Sequence, residues 1–221
     1  IIYIILTLLC VVFIIPVVFL LIHSFRAEPG AAIKYLLPKN YTLDNYIRLF
    51  TETELFNFPR WYLNTLFVSV CSCILSTIYI LMISYSLSRL RFRSRGKLQR
   101  IGLDTIPFAL DEAARIDGAS KAMIFWKITL PLSKPIIVYT VLTTFMAPWM
   151  DYIFASVIMK DNYQNYTVAL GLFQMISREN IYDYFTMFCA GAVLVALPIS
   201  ILFMFMQRYY VEGVTGGAVK G

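Results

Sequence analysis

Four stretches of this chain hold almost nothing but apolar side chains, each over a length that matches the hydrocarbon core of a bilayer: residues 1–22, about 65–87, about 136–159 and about 186–206. Each predicts a membrane-crossing helix, because in lipid a backbone must satisfy its own hydrogen bonds and the α-helix does so within one segment. Pro16 lies inside the first stretch, where a membrane helix tolerates it. That first stretch has neither a basic leader nor a small-residue cleavage site, so it reads as a span and not as a signal peptide. The chain opens without methionine in the middle of this run, and its start is expected to lie further upstream. The expected architecture is therefore all-α: one polytopic bundle of transmembrane helices over residues 1–221, with four spans visible.

The most informative polar interruption is residues 112–131, EAARIDGASKAMIFWKITLP. Asp104 and Thr105 precede Pro107, a residue favoured in the first turn of a helix, so a helix is expected to start there and run through Ala114. Gly118 can take the positive φ of a helix stop. Ser120 can then cap a second short helix carrying Ile124, Phe125 and Ile128 on one face, and Pro131 is expected to close it. The pattern amounts to two short helices (about 106–128) at a tight bend, with Glu112, Arg115, Asp117 and Lys121 available to a partner.

Composition agrees with the spans. With 59% hydrophobic and 14% charged residues, the chain is too apolar for an ordinary soluble domain. Charge then sets the orientation. Arg89, Arg91, Arg93, Arg95, Lys97 and Arg100 follow the second span with no acidic residue among them, which places that end in the cytoplasm. Residues 112–131 and the C-terminal tail fall on the same side, and residues 23–62 and 160–185 outside. Because the basic run abuts a span, it reads as a topology signal and not as a nucleic-acid surface.

The spacing Glu112-Ala113-Ala114, Gly118, Ile128, Leu130-Pro131 resembles the signature of the inner-membrane permease subunits of ABC importers, and every signature position is present. Pro135, the Trp149-Met150-Asp151 stretch and the ending Gly213–Gly221 are similar to the maltose-transporter type of carbohydrate permease; Met150 stands where many relatives carry Asn. The resemblance implies the ABC importer permease fold with six spans, a plasma-membrane location, and alternating access for a sugar, maltodextrin-like as the best guess. It implies as partners a second homologous permease subunit, two cytoplasmic ATP-binding subunits and an external sugar-binding protein. ATP and Mg would be held by the ATPase and no cofactor by this chain. Glu112, Ala113, Ala114, Asp117, Gly118, Ala119, Ile128, Leu130 and Pro131 would couple to that ATPase. Thr215, Gly216, Gly217 and Lys220 of the tail would enter the cleft between its subunits, the alternative for the tail being a disordered end. The aromatic-rich outer segment from Asn162 to Tyr166, with Asn162, Tyr163, Gln164 and Asn165, would reach a sugar or the external binding protein. One junction departs from the family: the basic run passes through Ile101-Gly102-Leu103 straight into Asp104, where relatives place two further spans. A missing segment of roughly 50 to 80 residues is expected there, the alternative being a natural four-span variant.

The chain offers no chemistry of its own. It has no GxxxxGK[ST] phosphate loop, so ATP must bind elsewhere. Cys10, Cys71, Cys73 and Cys189 all fall in apolar spans, and Cys71-Ser72-Cys73 has the wrong spacing for a zinc pair and reads as small packing residues. His23 stands alone at a span end, as an interfacial residue. No nucleophile has a partnered base, so neither a catalytic nor a metal site is expected. Ser69, Ser72, Ser76 and Thr77 in the second span, and Ala192, Ala196 and Ser200 in the last, form small-residue stripes that suit close helix packing. Asp151 either lines the path or reaches the outer interface beside Trp149. Two rival classes are an ion-gradient-driven secondary transporter, which would usually carry mid-membrane ionisable residues, and a membrane enzyme, which would need a His, Asp or Glu cluster.

Overall fold

The structure is a computed structural model, and it describes residues 2–31, 37–89 and 109–218, without the side chains of 84–89, 109–112, 135–136 and 210–218. The basic run from Arg91 to Arg100, the junction at Arg100–Asp104 and the last residues, including Lys220, lie outside these.

Helices account for the described fold. They are α1 (Ile2–Ser24), α2 (Asp44–Thr51), α3 (Phe58–Arg89) and α4 (Ala109–Ile116); α5 (Lys121–Leu132) and α6 (Lys134–Met150); then α7 (Ile153–Met159), α8 (Val168–Met175) and α9 (Ile181–Ala218). A 3-10 turn, Tyr163–Asn165, lies between α7 and α8. Among the described residues the sole β pairing is an isolated bridge, Arg26 with Tyr41. α1 and the stretches Phe58–Ile83 of α3 and Ile181–Tyr209 of α9 are long and apolar enough to cross a membrane. The pair Lys121–Leu132 and Ile137–Met150, bent by 69°, supplies a fourth, broken candidate.

Contacts divide the chain into two units, one of residues 1–69 and 146–201 and one of 70–145 and 202–221. The first has an aromatic core. Phe58, Trp61, Val168, Met175, Met187 and Cys189 are fully or almost fully buried there, and Phe56 meets Tyr184 edge-on at 4.7 Å between ring centroids. Gly191 admits Leu172 and Phe58 because it lacks a Cβ; one built there would lie 2.6 Å from the Leu172 side chain. In the second unit the Cys73 thiol lies 3.8 Å from the Val141 carbonyl. This brings α3 and α6 together at a small residue, the geometry that lets helices approach closely in lipid.

Three expectations change. The third span does not run unbroken over 136–159. Its helix stops after Met150 and restarts at Ile153, and the Asp151 Oδ1 accepts from the Phe154 N–H at 3.1 Å at the start of the new helix. That half-buried carboxylate thus helps to satisfy a helix end. Pro131 does not close the second short helix, which passes through it to Leu132. Phe125–Thr129 form a π turn directly before it, spreading the backbone where the proline ring would otherwise meet the Lys127 carbonyl. His23, expected at the interface, is fully buried within the chain at the end of α1, its Nδ1 3.5 Å from Arg26 Nη1 and its ring 4.2 Å from that of Phe19. Finally, the tail continues α9 in helical form to Ala218, no proline interrupting it after Pro198.

Candidate functional site

The bend anticipated around Gly118 has a specific backbone construction. α4 ends in a Schellman motif: the Gly118 N–H donates to the Arg115 carbonyl at 3.0 Å and the Ala119 N–H to that of Ala114 at 2.9 Å. Closing both bonds requires a left-handed residue between them, and Gly118 has φ +77°. A Cβ at this glycine would meet nothing within 4 Å, so backbone conformation alone, and not crowding, demands glycine. Two residues on, the Met123 N–H donates to the Ser120 hydroxyl at 3.2 Å and starts α5.

Around this bend the side chains point outward. Ala113, Arg115, Asp117 and Lys121 are exposed, Ile116 is 86% exposed and Trp126 66%. Large apolar groups so exposed, rimmed by charge, make this bend a candidate contact surface. Of the residues expected to couple, Ala113, Asp117 and Pro131 are exposed, while Ala114, Ala119, Ile128 and Leu130 are half-buried. Glu112 belongs to α4, but its side chain is outside the described residues. Phe125, Trp126 and Leu130 of α5 also line, with Ile78, Leu81 and Met82 of α3, an apolar cleft of about 530 Å³. Of the apolar face expected on α5, Ile124 is buried, whereas Phe125 and Ile128 are half-buried.

A second candidate region lies at the turn Tyr163–Asn165. Asn162, Tyr163, Gln164 and Asn165 are all exposed, yet the backbone beneath them is pinned to the start of α3. The indole N–H of Trp61 donates to the Tyr163 carbonyl at 2.8 Å, and Asn64 Nδ2 to the Tyr166 carbonyl at 3.3 Å. The Val168 N–H donates to Thr65 Oγ1 at 2.8 Å, and Arg60 reaches Asn165 Oδ1 at 3.4 Å. The Tyr166 hydroxyl donates to the Lys160 carbonyl at 2.7 Å. Burial, with Tyr163 and Asp161 nearby, raises its pKa above the ordinary tyrosine value, keeping it a neutral donor. Gly171 lets the adjacent helix seat on the Trp61 ring, since a Cβ there would fall 1.9 Å from Cε3. Sequence reading missed Trp61, Asn64 and Thr65 as the holders of this turn. Their spacing, three and four apart just before an apolar run, puts them on one helix face and was the available signal.

Among the described residues, no three His, Cys, Asp or Glu side chains are grouped as a metal site would need. The cysteines described are free thiols. Thr215, Gly216 and Gly217 lie within α9, their side chains outside the described residues.

The family model for the inner membrane component of binding-protein-dependent transport systems matches residues 1–216. The maltodextrin transport system permease protein MdxG of Bacillus subtilis is 33% identical over 99% of this chain and 95% of its own length. The maltose/maltodextrin permease MalG of Escherichia coli K12 is 39% identical over 118 residues, which are 53% of this chain and 39% of that protein. The crystal structure of a bacterial ABC transporter that imports the acidic polysaccharide alginate superposes with a TM-score of 0.73 at 21% identity, covering 94% of each chain, and so shares the fold. The chain is thus an integral membrane protein that belongs to the permease subunits of ABC importers, in the maltose-transporter branch of the family. The ion-gradient transporter is set aside by this match.

Proposed function

We propose that this permease carries a sugar oligomer, of maltodextrin type, into the cell by alternating access. In this reading the bend at Gly118 docks in a groove of a cytoplasmic ATPase subunit. ATP closes the ATPase pair, α4 and α5 move with it, and the membrane helices open outward. ATP and Mg reside on the ATPase. A second homologous permease completes the path, and an external sugar-binding protein meets the Asn162–Asn165 turn. The tail at Thr215, Gly216, Gly217 and Lys220 lies in the cleft between the ATPase subunits, with the C-terminus cytoplasmic in a bacterial or archaeal plasma membrane. The observation that carries the reading is the Schellman-closed bend with Ile116 bare to solvent, inside a chain matched by the importer family over residues 1–216.

The test is sugar-stimulated ATP hydrolysis by the reconstituted transporter. Gly118→Val puts a β-branched residue at a positive φ and Glu112→Lys reverses a charge toward the ATPase; each is expected to abolish stimulation while the subunit still inserts in the membrane. Wild-type stimulation in both would overturn the assignment.

The expected pair of further spans belongs to the same reading. The alignment with MdxG runs over 269 positions against the 221 residues of this chain, so that relative carries internal residues with no counterpart here. We place them between about Arg100 and Asp104. Intact mass of the purified subunit checks this, and a mass near 25.4 kDa would establish a four-span protein.

A further inference from the structure

α2 divides its surface into three faces. Stepping about 100° per residue, Asn45 and Leu49 form one, Asp44, Arg48 and Glu52 (the residue directly after the helix) a second, and Leu43 (the residue directly before it), Ile47 and Phe50 a third. The first face is buried against the protein: Leu49 is fully enclosed, and Asn45 Nδ2 donates to the carbonyls of Ser24 at 3.0 Å and Arg26 at 2.8 Å. Tyr46 adds a hydroxyl contact with Ser24 Oγ at 2.8 Å. The second face holds the pair Arg48 Nε to Glu52 Oε1 at 2.7 Å. The third is apolar and largely exposed, with Leu43 61% exposed, Ile47 57% and Phe50 53%, the Phe50 ring also meeting Phe58 edge-on.

Ser24 is the last residue of the apolar span α1, whose Val18 and Leu21 are themselves exposed. The bonds from Asn45 and Tyr46 therefore hold α2 at the depth where that span leaves the hydrocarbon. We propose that α2 is a membrane-interface helix, with Leu43, Ile47 and Phe50 seated among the lipid headgroups and upper acyl chains next to the Ser24 end of α1. Three faces match three surroundings: protein under Asn45 and Leu49, lipid at the apolar stripe, water at Asp44, Arg48 and Glu52. The last turns of α1 also leave Val18 and Leu21 exposed, so both helices offer apolar side chains near the Ser24 end. A charged flank directly beside so narrow a stripe suits the hydrocarbon–water boundary better than a protein interface, whose centre is depleted in charge. Tyr41, exposed just before the helix, is the side chain that prefers that boundary. The inference holds whichever side of the membrane this end faces.

The experiment places single nitroxide labels on the full chain in phospholipid vesicles, with Cys10, Cys71, Cys73 and Cys189 replaced by alanine. Labels at Leu43, Ile47 and Phe50 are expected to collide with oxygen at least about twofold more than with a water-soluble nickel chelate, and labels at Asp44 and Glu52 to show the reverse. In the chain with its native cysteines, Ile47→Trp should gain fluorescence quenching by lipids brominated near the headgroup, relative to the unsubstituted chain. Preferential access of nickel at the stripe would make it water-facing and overturn the proposal. Immobile labels shielded from both reagents, or no gain in quenching, would overturn it in favour of a protein partner.

Discussion

Gly118 and Gly171 are both glycines that a side chain would disturb, for opposite reasons. At Gly171 the neighbourhood is full, with the Trp61 ring 1.9 Å from where a Cβ would sit, while no left-handed backbone is involved. At Gly118 the space is empty and φ is +77°. The region around Gly171 is complete within this chain: Trp61 is 2% exposed, and the Tyr163–Asn165 turn hangs from its indole and from Asn64. The bend around Gly118 keeps its shape by two backbone bonds and leaves Ile116 uncovered. One glycine serves a core already closed; the other shapes a surface that the chain leaves open, which the proposed function assigns to a partner.

The sharpest way to break this contrast is to add one methyl group at each site. Gly171→Ala drives that methyl into a ring that cannot move aside, and a loss of about 1 to 3 kcal/mol is expected. It should appear as a lower unfolding midpoint of the detergent-solubilised subunit, followed by tryptophan fluorescence. An unchanged midpoint would mean that Trp61 has somewhere to go. Gly118→Ala meets no atom, and its cost is the left-handed strain alone, about 1 to 2 kcal/mol confined to the bend. The midpoint of the solubilised subunit should barely shift, whereas coupled ATP hydrolysis by the assembled transporter should fall. If instead the two substitutions destabilise the subunit equally, the bend is part of the folded core and the comparison fails.

The smallest effect concerns the exposed pair on α2. The hydrogen bond from Arg48 holds the Glu52 carboxyl below its ordinary pKa. A lowered folded pKa adds stability that is present above the ordinary carboxylate range and is lost as pH falls through the lowered value. Because both side chains are well exposed, with relative exposures of 37% and 48%, the contribution is at most about 1 kcal/mol and is screened by salt. Glu52→Gln should therefore remove a small acid-dependent decline in stability between neutral and low pH, and 1 M salt should do the same; a larger change would give the pair a role beyond the helix surface.

How much could be read from residue order differs between the two regions. The Gly118 bend was legible because everything that shapes it is local: a glycine ending one helix and a serine capping the next operate within six residues. The pinned turn was legible only as an exposed polar stretch, since Trp61 and Tyr163 are 102 positions apart and nothing in either neighbourhood names the other. Pro131 misled for a related reason. A proline after a helix permits two local outcomes, and the π turn over Phe125–Thr129 decides between them.

Residue order by itself determined that this chain lives in a membrane, that its long apolar helices are spans, and that a glycine-hinged bend interrupts them, because bilayer length, apolar composition and short-range backbone chemistry are all written along the chain. Only the tertiary structure decided which polar groups are hidden and which are offered. His23 and Arg26 are drawn out of water and Asn45 ties α2 to the end of α1, while Ile116 and the stripe of Leu43, Ile47 and Phe50 are left bare. Burial depends on what packs across tens or hundreds of positions, and no local pattern carries that information.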